Sequence, residues 1–174
     1  MTIIKKKALL SFLALLAGLI IYYFLPIDKI PDGTIIDKIV VLKSQHKLIA
    51  YAQHQVIVTY KVAIGRNPTG NKEYEGDGKT PEGIYTINDK NPNSGWHKNP
   101  GVSYPNLQDI LNAQRSGKAV GGNIKIHGLK NGQDYLGKFQ HWKDWTNGCI
   151  ALSNQELDEL YDHTMIGTPI EIKK

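Results

Sequence analysis

Hydrophobic and polar positions alternate through the first third of the chain, after its N-terminal segment. From Ile35 to Gly65 (IIDKIVVLKSQHKLIAYAQHQVIVTYKVAIG), β-branched residues recur with a period of two between short polar turns. That period is typical of half-buried strands, and it predicts strands near 37–43, 47–52 and 55–64. Strands joined by such short turns pair as an antiparallel meander. His46 and His54 fall in the turns and are predicted to be ordinary surface residues.

Turn-forming residues separate the remaining elements. Stretches rich in glycine, asparagine and proline predict loops, which fall at 66–78, 91–106 and 129–145. Long loops in compact domains are usually functional or disordered, and the aromatic residues of the second one indicate the folded rim of a binding cleft. Shorter apolar runs predict further strands at 84–87, 123–127 and 169–173.

Two short helices are predicted in the same half of the chain. Leu107, Ile110 and Leu111 have the i, i+3, i+4 spacing of one helical face, which predicts a helix over 107–115. Ser153 can cap a second helix from 154 to about 162, because Glu156 three residues later completes a capping box. The predicted fold class is therefore mainly β.

The N-terminal segment has a different pattern. Lys5, Lys6 and Lys7 precede an uncharged run from Ala8 to Leu25, which as a helix would be about 27 Å long. Its aromatic end suits a membrane interface, which favours a retained signal anchor over a cleaved signal peptide. Residues 1–33 are thus predicted to form the cytoplasmic lysines, a transmembrane anchor and a linker. Residues 34–174 are predicted to form one domain outside the cytoplasm, in the periplasm or cell wall. Secretion after cleavage is the alternative.

Composition limits the function classes. The chain has 174 residues, of which 41% are hydrophobic and 21% charged, as in an ordinary globular domain. Its net charge is +5, but residues 1–33 hold four of the basic and two of the acidic side chains. The remaining excess is mild and scattered, which argues against nucleic acid as a partner. No feature of the sequence specifies an oligomeric state.

The single cysteine, Cys149, becomes more informative once the domain is placed outside the cytoplasm. In an oxidising compartment it has no internal disulfide partner, and an unpaired cysteine there is expected to be intermolecular or reactive. Gly148 before it permits a tight turn with backbone N–H groups free to meet an oxyanion. The alternative is a buried cysteine acting as a small hydrophobe.

His127 ends the strand predicted by NIKIH and is followed by Gly128, a position suited to a cleft. On its own it would be read as a core histidine. A zinc site formed by His127, His141 and Cys149 is the metal alternative, but their spacing matches no standard zinc motif. No metal or other cofactor is therefore predicted.

Taken in order, several segments resemble the L,D-transpeptidase catalytic domain (YkuD-like) family. His127-Gly128 is followed by Thr146-Asn147-Gly148-Cys149 and an aliphatic residue, the arrangement of the family signature. The resemblance spans about 35–174, and the other matching segments are VAIG, KTPEGIY, SYPN, GGNIKIHG and GTPIEI.

The resemblance implies a β-sandwich that acts on the stem peptides of peptidoglycan. It implies that Cys149 is the nucleophile and His127 the proton acceptor and donor. The Gly128 carbonyl would orient the imidazole, and the N–H groups of Gly148 and Cys149 would face the oxyanion. The predicted substrate-binding residues are Trp96, Tyr104, Trp145, Thr146 and Asn147.

The implied reaction joins a donor stem to an amine of another stem through a thioester, forming a 3→3 cross-link. With water as acceptor, the same site would be an L,D-carboxypeptidase or murein hydrolase. A wall-binding module without catalysis is a more distant alternative. Asn147 and Ala151 differ from the residues that many members carry beside the cysteine, which bears on substrate preference.

Overall fold

The computed structural model describes residues 3–174. The helices are α1 (Ile3–Phe24), α2 (Leu107–Arg115) and α3 (Asn154–His163), with 3₁₀ segments at Lys43–Gln45 and Asp134–Trp142. The strands are β1 (Lys38–Leu42), β2 (Lys47–Ala52), β3 (Gln55–Lys61), β4 (Gly83–Ser94), β5 (His97–Val102), β6 (Ile126–His127), β7 (Ile150–Ala151) and β8 (Pro169–Lys173).

Six strands form one curled mixed sheet in the order β3-β2-β1-β8-β4-β5, and β6 pairs with β7 in a second, two-stranded sheet. The predicted meander is confirmed, since β1–β2 and β2–β3 are antiparallel. The last strand, β8, lies parallel to β1 and antiparallel to β4. One apolar core contains residues from both sheets and α3, so the second sheet is held in place by burial. The mainly β class is confirmed.

Both short helices occur where the sequence predicts them. In α3, Ser153 and Glu156 form the predicted capping box. In α2, the buried positions are Asp109 and Ala113, whereas Leu107 is 72% exposed. Asp109 can be buried because it completes a capping box with Asn106 and accepts a hydrogen bond from Tyr85 Oη at 3.0 Å.

The prediction of a loop over 91–106 is wrong. Most of that stretch lies in a long hairpin formed by β4 and β5, whose register shifts twice. Its polar residues conceal the strand period, and contacts with other elements stabilise it. Lys90 Nζ donates to the carbonyls of Tyr161 and Thr164, at 2.6 and 2.7 Å, at the C-terminal end of α3.

The predicted loop over 129–145 contains the 3₁₀ segment Asp134–Trp142, and β6 is shorter than the predicted strand 123–127. The segment between α1 and β1 lies along the domain surface. Ile30 is buried in the core, and its N–H donates to Glu159 Oε2 at 3.1 Å.

Candidate active site

The strand pair β6–β7 places His127 and Cys149 on one face. Ile126 lies opposite Ile150 in the parallel ladder, and both side chains are buried in the core. Because side chains alternate along a strand, His127 and Cys149 point to the opposite face. That face borders a cavity of about 300 Å³.

The imidazole of His127 is held in one tautomer. Its Nδ1 is 2.7 Å from the carbonyl oxygen of Gly128. A carbonyl can only accept, so Nδ1 carries the proton and Nε2 keeps its lone pair. Gly128 is needed here, since a Cβ would lie 2.5 Å from Asn154 Oδ1. Burial lowers the pKa of His127 despite that hydrogen bond, so the ring is neutral at pH 7.

The thiol of Cys149 is also neutral at rest. Burial raises its pKa, although the Lys125 N–H donates to the sulfur and the charges of Lys125 and Lys72 oppose the rise. The Sγ atom lies 3.5 Å from the carbonyl oxygen of Asn123. The resting site is therefore a thiol beside a neutral imidazole.

The turn before the cysteine is shaped by Thr146 and Gly148. Thr146 Oγ1 accepts the Gly148 N–H at 3.1 Å and donates to the Cys149 carbonyl at 2.7 Å. Gly148 has φ +134°, and a Cβ there would lie 2.6 Å from the carbonyl oxygen of Lys79, so only glycine fits. Its N–H faces Thr146, whereas the Cys149 N–H has no protein acceptor within residues 3–174.

Two tryptophans form a wall over the imidazole. Trp96, at the β4–β5 turn, stacks on Trp145 with ring centroids 5.5 Å apart. The centroids of the two indoles lie 5.1 and 5.6 Å from that of His127. These rings supply much of the burial that keeps the imidazole neutral.

Replacing Trp96 by alanine is expected to raise the pKa of His127 toward its ordinary value, because water then reaches the ring. Protonation of the imidazole would then begin at a higher pH than in the wild type. An NMR titration of the His127 ring measures this shift. Trp142→Ala, which removes an indole outside the cavity, is the matched control. A midpoint that stays in place or falls in the Trp96 variant would contradict the burial argument.

The structure brings together most of the predicted site residues. The cavity is lined by Trp96, Asn99, Asn123, Lys125, His127, Trp145, Thr146, Asn147 and Cys149. A second cavity of about 440 Å³ shares Asn123, Asn147 and Cys149 with the first, and Arg66 lines it as well. The thiol is therefore reached from two cavities.

Tyr104 is not part of this cavity. It is 6% exposed in the core, and its hydroxyl donates to the Val120 carbonyl at 3.0 Å.

The sequence interpretation also missed two residues that line the cavity, Lys125 and Asn99. Lys125 could have been found, because it lies two residues before His127 and so on the same face of a strand. Asn99 lies in the hairpin that was predicted as a loop.

The three candidate zinc ligands do not meet. His141 Nε2 is 2.8 Å from Tyr22 Oη, beside α1, and His141 does not line the cavity of His127 and Cys149. Over residues 3–174, no group of three His, Cys, Asp or Glu side chains is arranged to hold a metal ion.

The fold and the site define a class: a mainly β domain with a neutral histidine and an unpaired cysteine in one cleft. The chain belongs to the L,D-transpeptidase catalytic domain (YkuD) family, whose model matches residues 36–172. Enzymes of this family act on the peptides of peptidoglycan.

Known relatives agree with this assignment. YafK of Escherichia coli K12 is 29% identical over 113 residues, which cover 63% of this chain and 37% of YafK. The chain thus spans little more than a third of that relative. The solved structures of Pgp2, the helical cell shape determining protein of Campylobacter jejuni, and of Bdellovibrio bacteriovorus Bd1075 are similar, at 26% and 25% identity and TM-scores of 0.60 and 0.56.

The Pgp2 match covers 85% of this chain and 51% of the Pgp2 chain. The Bd1075 match covers 84% of this chain and 51% of the Bd1075 chain. An L,D-transpeptidase from Mycobacterium smegmatis, 15% identical with a TM-score of 0.54, shares the fold; that match covers 79% of this chain and 58% of the other.

Proposed function

We propose that this chain is a peptidoglycan L,D-transpeptidase with Cys149 as its nucleophile and His127 as its general base and acid. The observation that carries the proposal is the His127 tautomer, which the Gly128 carbonyl holds with Nε2 unprotonated, in the same cavity as the only cysteine. A thiol and an imidazole arranged in this way can form and resolve an acyl-enzyme.

In the first half of the reaction, the thiol proton passes to His127 Nε2 as the sulfur attacks the carbonyl carbon of the donor stem's third residue. The oxyanion that forms is stabilised by the Cys149 N–H, which is free to donate. The C–N bond then breaks, and His127 returns the proton to the departing terminal D-amino acid. A thioester at Cys149 remains.

In the second half, the acceptor's amine attacks the thioester carbon and gives a proton to His127. The C–S bond breaks, the new amide forms, and the sulfur recovers the proton. Two cavities that share Cys149 support such a transfer, since donor and acceptor can approach from different sides. Arg66 in the second cavity suits an acidic stem.

We also propose that α1 anchors the domain in the membrane, with Lys5–Lys7 on the cytoplasmic side and residues 34–174 outside. The support is a helix long and apolar enough to cross a bilayer, over Lys5–Phe24, whose apolar window is not buried inside the protein. Its last turn contacts the domain. The wall substrate lies on the same side as the domain. A cleaved signal peptide is the alternative, and protein released from the membrane fraction with a mature N-terminus beyond Phe24 would establish it.

Mass spectrometry of muropeptides tests the reaction. Purified full-length chain is incubated with wall digests rich in tetrapeptide stems, and 3→3 cross-linked dimers with release of the terminal D-amino acid are expected. Release without dimers would identify an L,D-carboxypeptidase, and loss of existing dimers a hydrolase. Binding of wall without any product would indicate a wall-binding module and contradict the proposal.

A further inference from the structure

We propose that the 3₁₀ segment Asp134–Trp142 lies in the phospholipid headgroup layer, so that the domain docks on the membrane surface in one orientation. This inference rests on the proposed anchoring by α1. It adds a second contact with the membrane, because a domain joined to its anchor by a flexible linker alone would not touch the lipid.

The depth of the segment follows from its contacts with the last turn of α1. Tyr22 lies 5.8 Å from Phe139 and 6.1 Å from Trp142 between ring centroids, and Tyr23 lies 5.6 Å from Phe139. Since α1 ends at Phe24, these tyrosines mark the bilayer interface, and the rings packed against them are at the same depth.

The contact between α1 and the segment is specific. Lys138 Nζ donates to the carbonyls of Leu25 and Pro26, at 2.5 and 3.3 Å, just beyond the C-terminal end of the helix. Gly137 has φ +47°, and a Cβ there would lie 2.8 Å from the Tyr23 ring, so glycine permits the close approach. Burial lowers the pKa of His141 to about 4, which leaves a neutral ring to pair with Tyr22 Oη.

The outer side of the segment has the composition of a membrane interface. Trp142 is 61% and Tyr135 69% exposed, and Lys143, which follows Trp142 in the chain, is exposed as well. Amphipathic aromatic rings favour the headgroup layer, and lysines there attract lipid phosphates. The occupant of this face is therefore the phospholipid of the leaflet in which α1 ends.

Docking would determine how the active site is presented. The segment ends at Trp142, and Trp145 three residues later lines the cavity of His127 and Cys149. A segment fixed in the headgroup layer therefore holds that cavity at a constant height above the membrane. Only stems within that reach would be processed.

Quenching of tryptophan fluorescence tests the docking. The full-length chain is reconstituted in phosphatidylcholine–phosphatidylglycerol liposomes whose acyl chains are brominated near the headgroup. Wild-type emission is expected to be quenched relative to unbrominated liposomes, and Trp142→Phe is expected to lose most of that quenching. Tyr135→Ser should weaken it, whereas Ile84→Ser, at an apolar residue that is 72% exposed elsewhere, should not.

Flotation of the liposomes and turnover of soluble tetrapeptide stems are measured on the same samples. Protein that floats without Trp142-dependent quenching would overturn the docking and leave the anchor intact. Protein that does not float would overturn both. Turnover reports on the proposed chemistry separately, and it should be equal in the wild type and in Trp142→Phe.

Discussion

Replacing Cys149 with alanine is expected to abolish turnover of tetrapeptide stems while the fold is retained. Without the sulfur no thioester forms, and loss of a nucleophile that works with its base costs at least about a thousandfold in rate. Release of the terminal D-amino acid, followed by chromatography, measures the loss. Thermal unfolding should change little, because the side chain is only partly buried and its S–H contact to the Asn123 carbonyl is long, at 3.5 Å.

Cys149→Ser is the matched variant, since it keeps the size and a donor while replacing the thiol with a much less acidic hydroxyl. It should be as inactive as the alanine variant. Turnover at the wild-type rate in either protein would rule out Cys149 as the nucleophile. Both variants should retain the wild-type circular dichroism spectrum.

Replacing His127 with alanine is expected to remove the pH dependence that the imidazole gives to alkylation of Cys149 by iodoacetamide. Burial lowers the pKa of His127 below about 6.5, the ordinary pKa of a histidine. In the wild type the ring is therefore unprotonated at neutral pH and remains so to below about pH 6.5. As the pH falls through the lowered value, the ring takes up a proton and can no longer accept one from the thiol. The wild-type rate should fall there.

In the variant, the thiol reacts without a base, and its raised pKa leaves little thiolate near neutrality. Alkylation should then rise only in alkaline solution, and turnover should drop by about a hundredfold or more. His54→Asn is the control and should behave as the wild type. His54 is an exposed turn residue with positive φ, a backbone conformation that asparagine tolerates. An unchanged pH profile in His127→Ala would show that the two groups are not coupled.

The sequence predicted correctly those helices and strands that are stabilised by residues close together in the chain. The β1–β3 meander depends on a period of two and short turns, and α3 on a capping box within four residues. The β4–β5 hairpin was missed because its polar sequence has no period. It is stabilised by contacts such as Lys125 Nζ with Asp89 Oδ2, which bring together residues 36 positions apart.

The same distinction applies to the site. The glycines flanking the two reactive positions and the single cysteine were visible in the sequence, and so was the family. Tyr104 was misplaced because an aromatic residue in a motif can pack in the core as readily as it can line a cleft. Trp96 and Trp145 were predicted as substrate contacts, yet their stacking over His127 depends on Trp96, which lies at the turn of a hairpin that the sequence did not predict.

The sequence by itself determined the family, the β-rich class and the apolar N-terminal helix, and it pointed to Cys149 and His127 as the proposed nucleophile and base. The tertiary structure decided the protonation properties of these two side chains and how the domain contacts its N-terminal helix. The His127 tautomer is set locally, by the carbonyl of the next residue, Gly128. The lowered pKa of His127, the raised pKa of Cys149 and the contact of α1 with the 3₁₀ segment depend on atoms far apart in the chain. Burial and long-range hydrogen bonds set these properties, and no local pattern of residues encodes them.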